Sequence, residues 1–558
     1  EKYGLKVIMC TPTPTPPVWL SKKYSDILIQ RDNGVTIQHG RRQHASWSSD
    51  RYRHYVENIV SRLAIHYGNN PTVIGWQIDN ELYNNTPDGR GCCCPVCRNK
   101  FIQRLKEKYG TIDVLNDAWG LDVWSLRYDS FEQIPVPRHD IWHHPAFLSE
   151  WMRFHADSYA EFTARQAEII RKYSSAPIGT DMMPMYGLDF NDMTKSLDTV
   201  QATEYRNSSC MSDLPMWFSY FKNLKNKPFW VVETAASWGG GVIRAWRNEP
   251  EFCTANSWLP VAMGADAIMY WLWRAHHSGH ELMHGSVITP WGRPSHVFPE
   301  IQEVSKGFEK AREILNGTFP VKQPFAMHLS SDAARTFDFQ PITPGFQYNA
   351  ALTESYIALR EAHFNPEIID PACALDDYKV IFSPYLPCIE HKNLADKLYK
   401  WIKNGGTWIA GPFTDIRNRH DGQYKEAPFG HLEKWANIRC EFSLPAAGAL
   451  NIKFSSRVGY TTGHVVFDAL TCQRNSPESK KFIKNENTGS EYGTATPMAV
   501  YTDNGYLKDY CAATVTEIGA HGGRIIVLGT MPESAGLIDF IGSILESCDI
   551  KPVGEASE

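Results

Sequence analysis

The sequence predicts a (β/α)8 TIM barrel followed by an open-sheet α/β domain, and three observations carry that prediction. Short apolar runs alternate with longer helical stretches over roughly the first 300 residues, the rhythm of a barrel of repeated βα units. Most of the runs are continuous rather than alternating, as strands buried on both faces of a parallel sheet are. A second α/β rhythm begins after Asn316-Gly-Thr-Phe-Pro320, a turn-rich break. A chain of 558 residues is also too long for a single core.

The barrel strands are expected at Val7–Cys10, Val73–Asp79, Pro177–Met182, Thr199–Glu204, Phe229–Glu233 and Ala267–Trp273. Helices are expected at Arg51–Tyr67, Phe101–Tyr109 and Ser149–Tyr173. Between the first strand and its helix runs a proline-rich loop, Thr11-Pro-Thr-Pro-Thr-Pro-Pro17. A closed barrel has eight strands and six are visible, so the first two are expected in about 60–80 residues ahead of Glu1. The expected division is a partial catalytic barrel over 1–318 and an α/β domain over 319–552. In the latter, Lys379–Ser383, Thr407–Ala410 and Arg524–Leu528 read as strands and Ala535–Leu545 as a closing helix. Asn393 is placed to cap a helix carrying Leu394, Leu398, Trp401 and Ile402 on one face, which Gly405-Gly406 stops. No G-x-G-x-x-G or P-loop occurs, so nucleotide binding is not indicated.

Composition narrows the function classes. The formal net charge is −6 with no basic stripe, which argues against a nucleic-acid partner. No apolar run reaches the length of about 18 residues that a transmembrane helix needs. Eighteen tryptophans serve an aromatic core first, and some are candidates to stack on the apolar face of a sugar. Of thirteen cysteines, four crowd into Cys92, Cys93, Cys94 and Cys97. Scattered thiols plus one tight cluster suit a reducing, cytoplasmic setting and a metal or reactive site rather than a disulfide framework. A signal peptide ahead of Glu1 stays open.

Glycoside hydrolysis needs two carboxyl groups flanking one bond, and a barrel presents such groups at the C-terminal ends of its strands. Two glutamates stand there. Glu81 closes Val73-Ile-Gly-Trp-Gln-Ile-Asp-Asn-Glu81, with Asn80 placed to bond a sugar hydroxyl, and Glu233 closes Pro228-Phe-Trp-Val-Val-Glu233. An apolar strand ending in a carboxylate is costly to bury without a role. The last strand is followed by Gly279-His-Glu281-Leu-Met-His284-Gly285, where a helical turn would put Glu281 and His284 on one face. Hydroxyl binding is the first reading of that pair; metal ligation and a rim salt bridge are the others. Gly40-Arg41-Arg42 brings cations to another loop.

Together these motifs resemble glycoside hydrolase family 42, the microbial β-galactosidases. The resemblance rests on the Thr11–Leu20 loop, His39-Gly-Arg-Arg42, Gly75–Glu81, the Cys cluster, Leu115–Trp119, Phe131–Pro135, Val232-Glu233, Trp273-Arg274 and Gly279–Gly285. It continues to about residue 550. It implies a retaining enzyme with Glu81 as acid/base, Glu233 as nucleophile, and Arg41, Asn80, Tyr205, Trp271, Glu281 and His284 at sugar-binding positions. It also implies a second domain that helps form a homotrimer, and a small C-terminal β domain that is not seen before Glu558. No cofactor is implied for catalysis. Cys92, Cys94 and Cys97 resemble three ligands of a structural zinc; the fourth aligns near Ala45, with His44 or Cys93 as substitutes. Trp238 and Trp246 depart from the family's spacing for a substrate-stacking tryptophan.

Three other readings are carried from the sequence. One is the same chemistry on α-L-arabinopyranosides. The second is a sugar-binding or assembly fragment without turnover. The third is a zinc-dependent hydrolase built on the Cys cluster, which lacks the open site and the His or carboxylate ligands of catalytic zinc.

Overall fold

In the computed structural model the chain forms two compact units, Glu1–Val321 and Lys322–Glu558. The structure describes residues 2–83, 90–208, 211–240, 245–282, 284–455, 459–472, 493–503 and 505–554. Met283, inside the Gly279–Gly285 motif, lies outside the described residues.

In the first unit, β1 (Val7–Cys10), β2 (Val73–Ile78), β3 (Ile178–Met182), β4 (Gln201–Glu204) and β5 (Phe229–Ala235) lie side by side in chain order, all parallel. A two-stranded ribbon follows, β6 (Gly239–Gly240) with β7 (Ala245–Trp246). Then β8 (Ala265–Trp271) joins β5 as the sixth parallel strand of the sheet. β3 and β4 are buried at every residue although they carry Thr180, Asp181, Gln201, Thr203 and Glu204, so polar side chains point into the interior of this sheet. β1 and β8 form the two edges and are partly exposed.

The helices follow from their sequence patterns. Ser49 caps Asp50–Tyr67, its hydroxyl accepting from Tyr52 N at 3.3 Å. That helix buries Tyr52, Val56, Val60 and Ala64, a stripe at intervals of four. Each fully buried valine contributes about 1.5–3 kcal/mol. The stripe packs on the long helix Pro145–Arg171, where the Tyr52 and Phe162 rings stack with centroids 6.0 Å apart. The helix expected from Phe101 begins earlier, at Pro95, a residue whose fixed φ suits a first turn.

The second unit is an α/β domain built on one sheet, as expected, and that sheet is larger than the strands read from the sequence, with 12 strands, parallel and antiparallel, among the described residues. Its parallel part contains β9 (Phe325–His328), β10 (Glu367–Ile369), β11 (Val380–Ser383) and β12 (Thr407–Ala410). The antiparallel part runs from β13 (Ile438–Pro445) and β14 (Leu450–Phe454) through β15 (Tyr460–His464), β16 (Val466–Cys472), β17 (Thr496–Tyr501) and β18 (Cys511–Ile518). β19 (Gly523–Leu528) joins the two parts, pairing parallel to β12 and antiparallel to β18, and β20 (Met531–Pro532) pairs with β15. β13 alternates buried and exposed residues, a pattern that a search for apolar runs passes over.

The helix Leu394–Lys403 buries Leu394, Leu398, Trp401 and Ile402 as expected. Asn393 does not cap it with its side chain, however. Its backbone is left-handed, φ 54°, and its side chain makes no capping bond. After the helix, a Cβ at Gly406 would fall 2.4 Å from the Trp401 ring, so the tryptophan's burial requires glycine there.

Candidate active site

The end of β2 is a turn. Asp79 and Glu81 both take left-handed φ values, 53° and 45°, on either side of Asn80. Such angles are uncommon for residues other than glycine and persist only where neighbours hold them. Here the proline-rich loop does so. Thr11 Oγ1 accepts from Asp79 N at 2.8 Å, and the Thr13 hydroxyl donates to Asp79 Oδ2. Asp79 Oδ1 accepts from Asn80 N at 2.9 Å. From a second loop, the buried Gln43 Nε2 donates to Asn80 O at 2.5 Å and Glu81 O at 2.9 Å. Burial pushes the Asp79 carboxyl up to about 6, against those hydrogen bonds.

The turn delivers Glu81, 5 % exposed, to the C-terminal end of the sheet, where the Arg42 guanidinium ion-pairs with it. Glu233, on β5, faces it. Tyr205, just past β4, donates its hydroxyl to Glu233 Oε2 at 3.0 Å. The hydrogen-bond network orients the Asn80 amide: its nitrogen donates to Glu233 Oε1 at 3.2 Å and its oxygen accepts from Arg42 Nη1 at 2.9 Å. Both oxygens of Glu233 therefore hold a donor. A third carboxyl, Asp181 on β3, completes the cluster; carboxylate oxygens of Glu81, Asp181 and Glu233 lie within 4.8 Å of one another.

Crowding sets the electrostatics. Burial first, then the charge of Glu81, pushes Glu233 up to about 7. Burial also raises Glu81, against the pull of Arg42. Two acids this close titrate as a unit and retain a proton into the neutral range.

The structure gathers most of the sequence-predicted residues around this pair. Glu281 bears electrostatically on Arg42, Glu81 and Glu233. The His284 ring lies 5.5 Å from that of Tyr205, and Trp271 ends β8 with its ring edge-on to His276 at 6.1 Å. Glu281 lies in a turn at residues 280–282, and the step from there to His284 passes through Met283, outside the described residues. Arg41 is exposed, and its Nε donates to Arg42 O at 3.3 Å; it is the next residue, Arg42, that reaches Glu81. Arg42, Asp181 and Gln43 were not singled out from the sequence. Asp181 did carry a signal, a carboxylate in the buried apolar strand Ile178–Met182.

Behind the site, Cys92, Cys94 and Cys97 are buried with their sulfur atoms within 4.8 Å of one another. Three converging thiols at the start of the Pro95–Tyr109 helix suit a soft cation, whose charge and the helix dipole favour thiolates. Of the two expected substitutes for a fourth ligand, Cys93 is turned to backbone oxygens, whereas His44 is held through Nδ1 and keeps a buried Nε2 without a hydrogen-bond partner. Cys93 Sγ points to Gly91 O and Pro137 O, 3.9 Å from each, and His44 Nδ1 lies 2.7 Å from Arg41 O. The group nearest the trio at the expected place is Ser46, whose Oγ is 3.3 Å from Cys97 Sγ.

Comparison with known proteins now bears on this geometry. The family model described as β-galactosidase matches residues 1–311, more than half of the chain, and that of the β-galactosidase trimerisation domain matches 325–551. The chain belongs to glycoside hydrolase family 42. Two family 42 relatives are β-galactosidases YesZ. That of Bacillus licheniformis is 32% identical over 444 residues, 79% of this chain and 66% of the relative. That of Bacillus subtilis is 30% identical over 544 residues, 95% of this chain and 76% of the relative. The solved β-galactosidase of Halorubrum lacusprofundi superposes with a TM-score of 0.86 at 25% identity, covering 99% of this chain and 81% of that one. The chain thus spans about two thirds to four fifths of the length of these family 42 proteins. Among the described residues no helix is long and apolar enough to cross a membrane.

Proposed function

We propose that this protein is a retaining glycoside hydrolase that removes terminal non-reducing β-D-galactosyl residues by double displacement, with Glu81 as acid/base and Glu233 as nucleophile. The observation that carries this reading is the approach of the Glu81 and Glu233 oxygens to within 4.8 Å at facing strand ends. Retaining pairs stand about 5–5.5 Å apart, whereas inverting pairs leave about 6.5–9.5 Å for a water. The β-galactosidase names of the relatives supply the sugar.

In the first step Glu233 attacks the anomeric carbon while Glu81 gives its proton to the departing oxygen. In the second, Glu81 takes a proton from the water that cleaves the glycosyl ester. Tyr205 and Asn80 fix the two Glu233 oxygens. Asn80, Glu281, His284, Trp271 and the two arginines are the groups proposed to hold the sugar.

A structural zinc held by Cys92, Cys94 and Cys97 belongs to the same proposal. It would neutralise three thiolates and tie the Cys92–Cys94 segment to the start of the Pro95–Tyr109 helix. The second domain is proposed to assemble the chain as a homotrimer, as the description of its matching family model suggests.

The test is hydrolysis of an aryl β-D-galactoside by the wild type and Glu233→Ala, with and without azide. Loss of activity, and its return with an α-galactosyl azide as product, supports the assignment. Full activity in Glu233→Ala removes it.

A further inference from the structure

Asp181 is 1 % exposed, on the floor between Glu81 and Glu233. Its Oδ1 accepts from the Thr203 hydroxyl, whereas its Oδ2 is buried with no hydrogen-bond partner. The groups facing it come from every neighbouring strand: Cys10 from β1, Glu81 past β2, Tyr205 past β4 and Glu233 from β5. Arg42 is the cation that bears on it.

Charge decides what state Asp181 can hold. Three ionised carboxylates against one guanidinium would leave two uncompensated negative charges in a buried space, which is strongly unfavourable. If Glu81 carries the proton it is to donate and Asp181 is neutral, Arg42 and Glu233 balance. An ionised Asp181 would instead repel the charge that Glu233 needs as a nucleophile.

We propose that Asp181 keeps its proton throughout the working pH range and acts as a positioning residue beneath Glu233, a neutral carboxyl that packs the floor without adding an anion. The proposal rests on the reading of Glu233 as the nucleophile. Burial, and after it the charges of Glu233 and Glu81, hold the Asp181 carboxyl well above the usual carboxylate range, in the direction this requires.

Asp181→Asn tests it, because asparagine is neutral at every pH and keeps the acceptor for Thr203. The first readout is thermal unfolding without substrate. A folded acid that retains the proton its unfolded form releases near pH 4 loses stability as pH rises. The Tm margin of Asp181→Asn over the wild type is therefore expected to widen by at least about 2 °C from pH 5 to pH 8. A margin that stays flat over that range overturns the proposal, since a folded protein that holds the anion exchanges no proton on unfolding above pH 5.

The second readout is the pH profile of kcat/KM on an aryl β-D-galactoside. Asp181→Asn should stay within about threefold of the wild type, with its acid limb moved by less than about 0.3 pH units. An acid limb lowered by about one unit or more overturns the proposal, because it shows that a negative charge was removed. Asp181→Leu removes the acceptor and should lower kcat about tenfold with KM little changed. Wild-type activity in Asp181→Leu overturns the positioning role. If the wild type cleaves no galactoside, the functional reading falls, and the unfolding experiment still decides the state of Asp181.

Discussion

The Tyr205 hydroxyl lies 3.0 Å from Glu233 Oε2, whereas Glu81, the other glutamate of the pair, is held by the Arg42 guanidinium. One carboxyl is thus held by a neutral donor and the other by a cation. That asymmetry gives two otherwise similar glutamates different chemical surroundings.

Tyr205→Phe deletes that donor. A hydrogen bond to a charged group contributes about 1.5–3 kcal/mol, so kcat should fall about 10- to 100-fold. Steady-state kinetics checks this, and an unchanged kcat would separate Tyr205 from the reacting carboxyl.

Glu81→Gln removes the proton donor while keeping the shape of the side chain. Loss of general acid catalysis should slow hydrolysis of an alkyl galactoside by about 10²–10⁴-fold. A dinitrophenyl galactoside, whose leaving group needs no proton, should lose far less. Equal losses on both substrates would move the acid role to another residue.

Arg42→Met tests the pH behaviour. Arg42 pulls both glutamates down, so removing it should raise them. Activity requires Glu233 ionised, and the acid limb of the profile should move up by about 1 pH unit or more. An acid limb that moves down would contradict the sign.

The cysteine trio predicts about one zinc per chain by metal analysis. Chelation should lower Tm by more than about 5 °C, since metal binding to such sites is folding free energy. Aryl galactoside hydrolysis at temperatures where the protein stays folded should be unaffected. A rate that falls while the fold is intact would give the metal a chemical role.

Asp468, buried on β16, predicts a stability effect remote from chemistry. Burial pushes it up to about 7. The unfolded residue titrates near 4, so the stability of the protonated form is complete below about pH 4 and lost as pH rises through about 7. Asp468→Asn should be more stable than wild type at pH 8, by up to about 4 kcal/mol, and not at pH 4. Urea unfolding at the two pH values measures the difference.

Much of the barrel was legible because several of its strands are covered on both faces: Phe229–Val232 is apolar enough to be seen without alternation. Glu81 and Glu233 stood out for the same reason, as charges ending such runs. Arg42 did not, because two adjacent arginines look alike in sequence. What distinguishes them is the turn that follows, where Gln43 takes φ 57° and reaches the Asn80 and Glu81 carbonyls. Cys93 was a candidate ligand by spacing, and its contacts with the Gly91 and Pro137 carbonyls show that its sulfur faces elsewhere. Among the antiparallel strands from Ile438 to Ile518, β13 was missed because half of its residues are exposed, and β18, although mostly buried, because Thr514, Thr516 and Glu517 break up its apolar run.

The left-handed turn at Asp79 and Glu81 makes the two central glutamates unequal targets for engineering. Glu233 sits inside β5 and outside the left-handed region, so a shorter residue there alters chemistry and leaves the main chain in place. Position 81 fixes a backbone shape as well as a functional group. Asparagine, aspartate or glycine would keep that shape, whereas a β-branched residue would spread the turn and draw Asn80 off Glu233. A designer who wants the glycosyl unit handed to an alcohol rather than to water therefore has one position at which to begin, and it is 233.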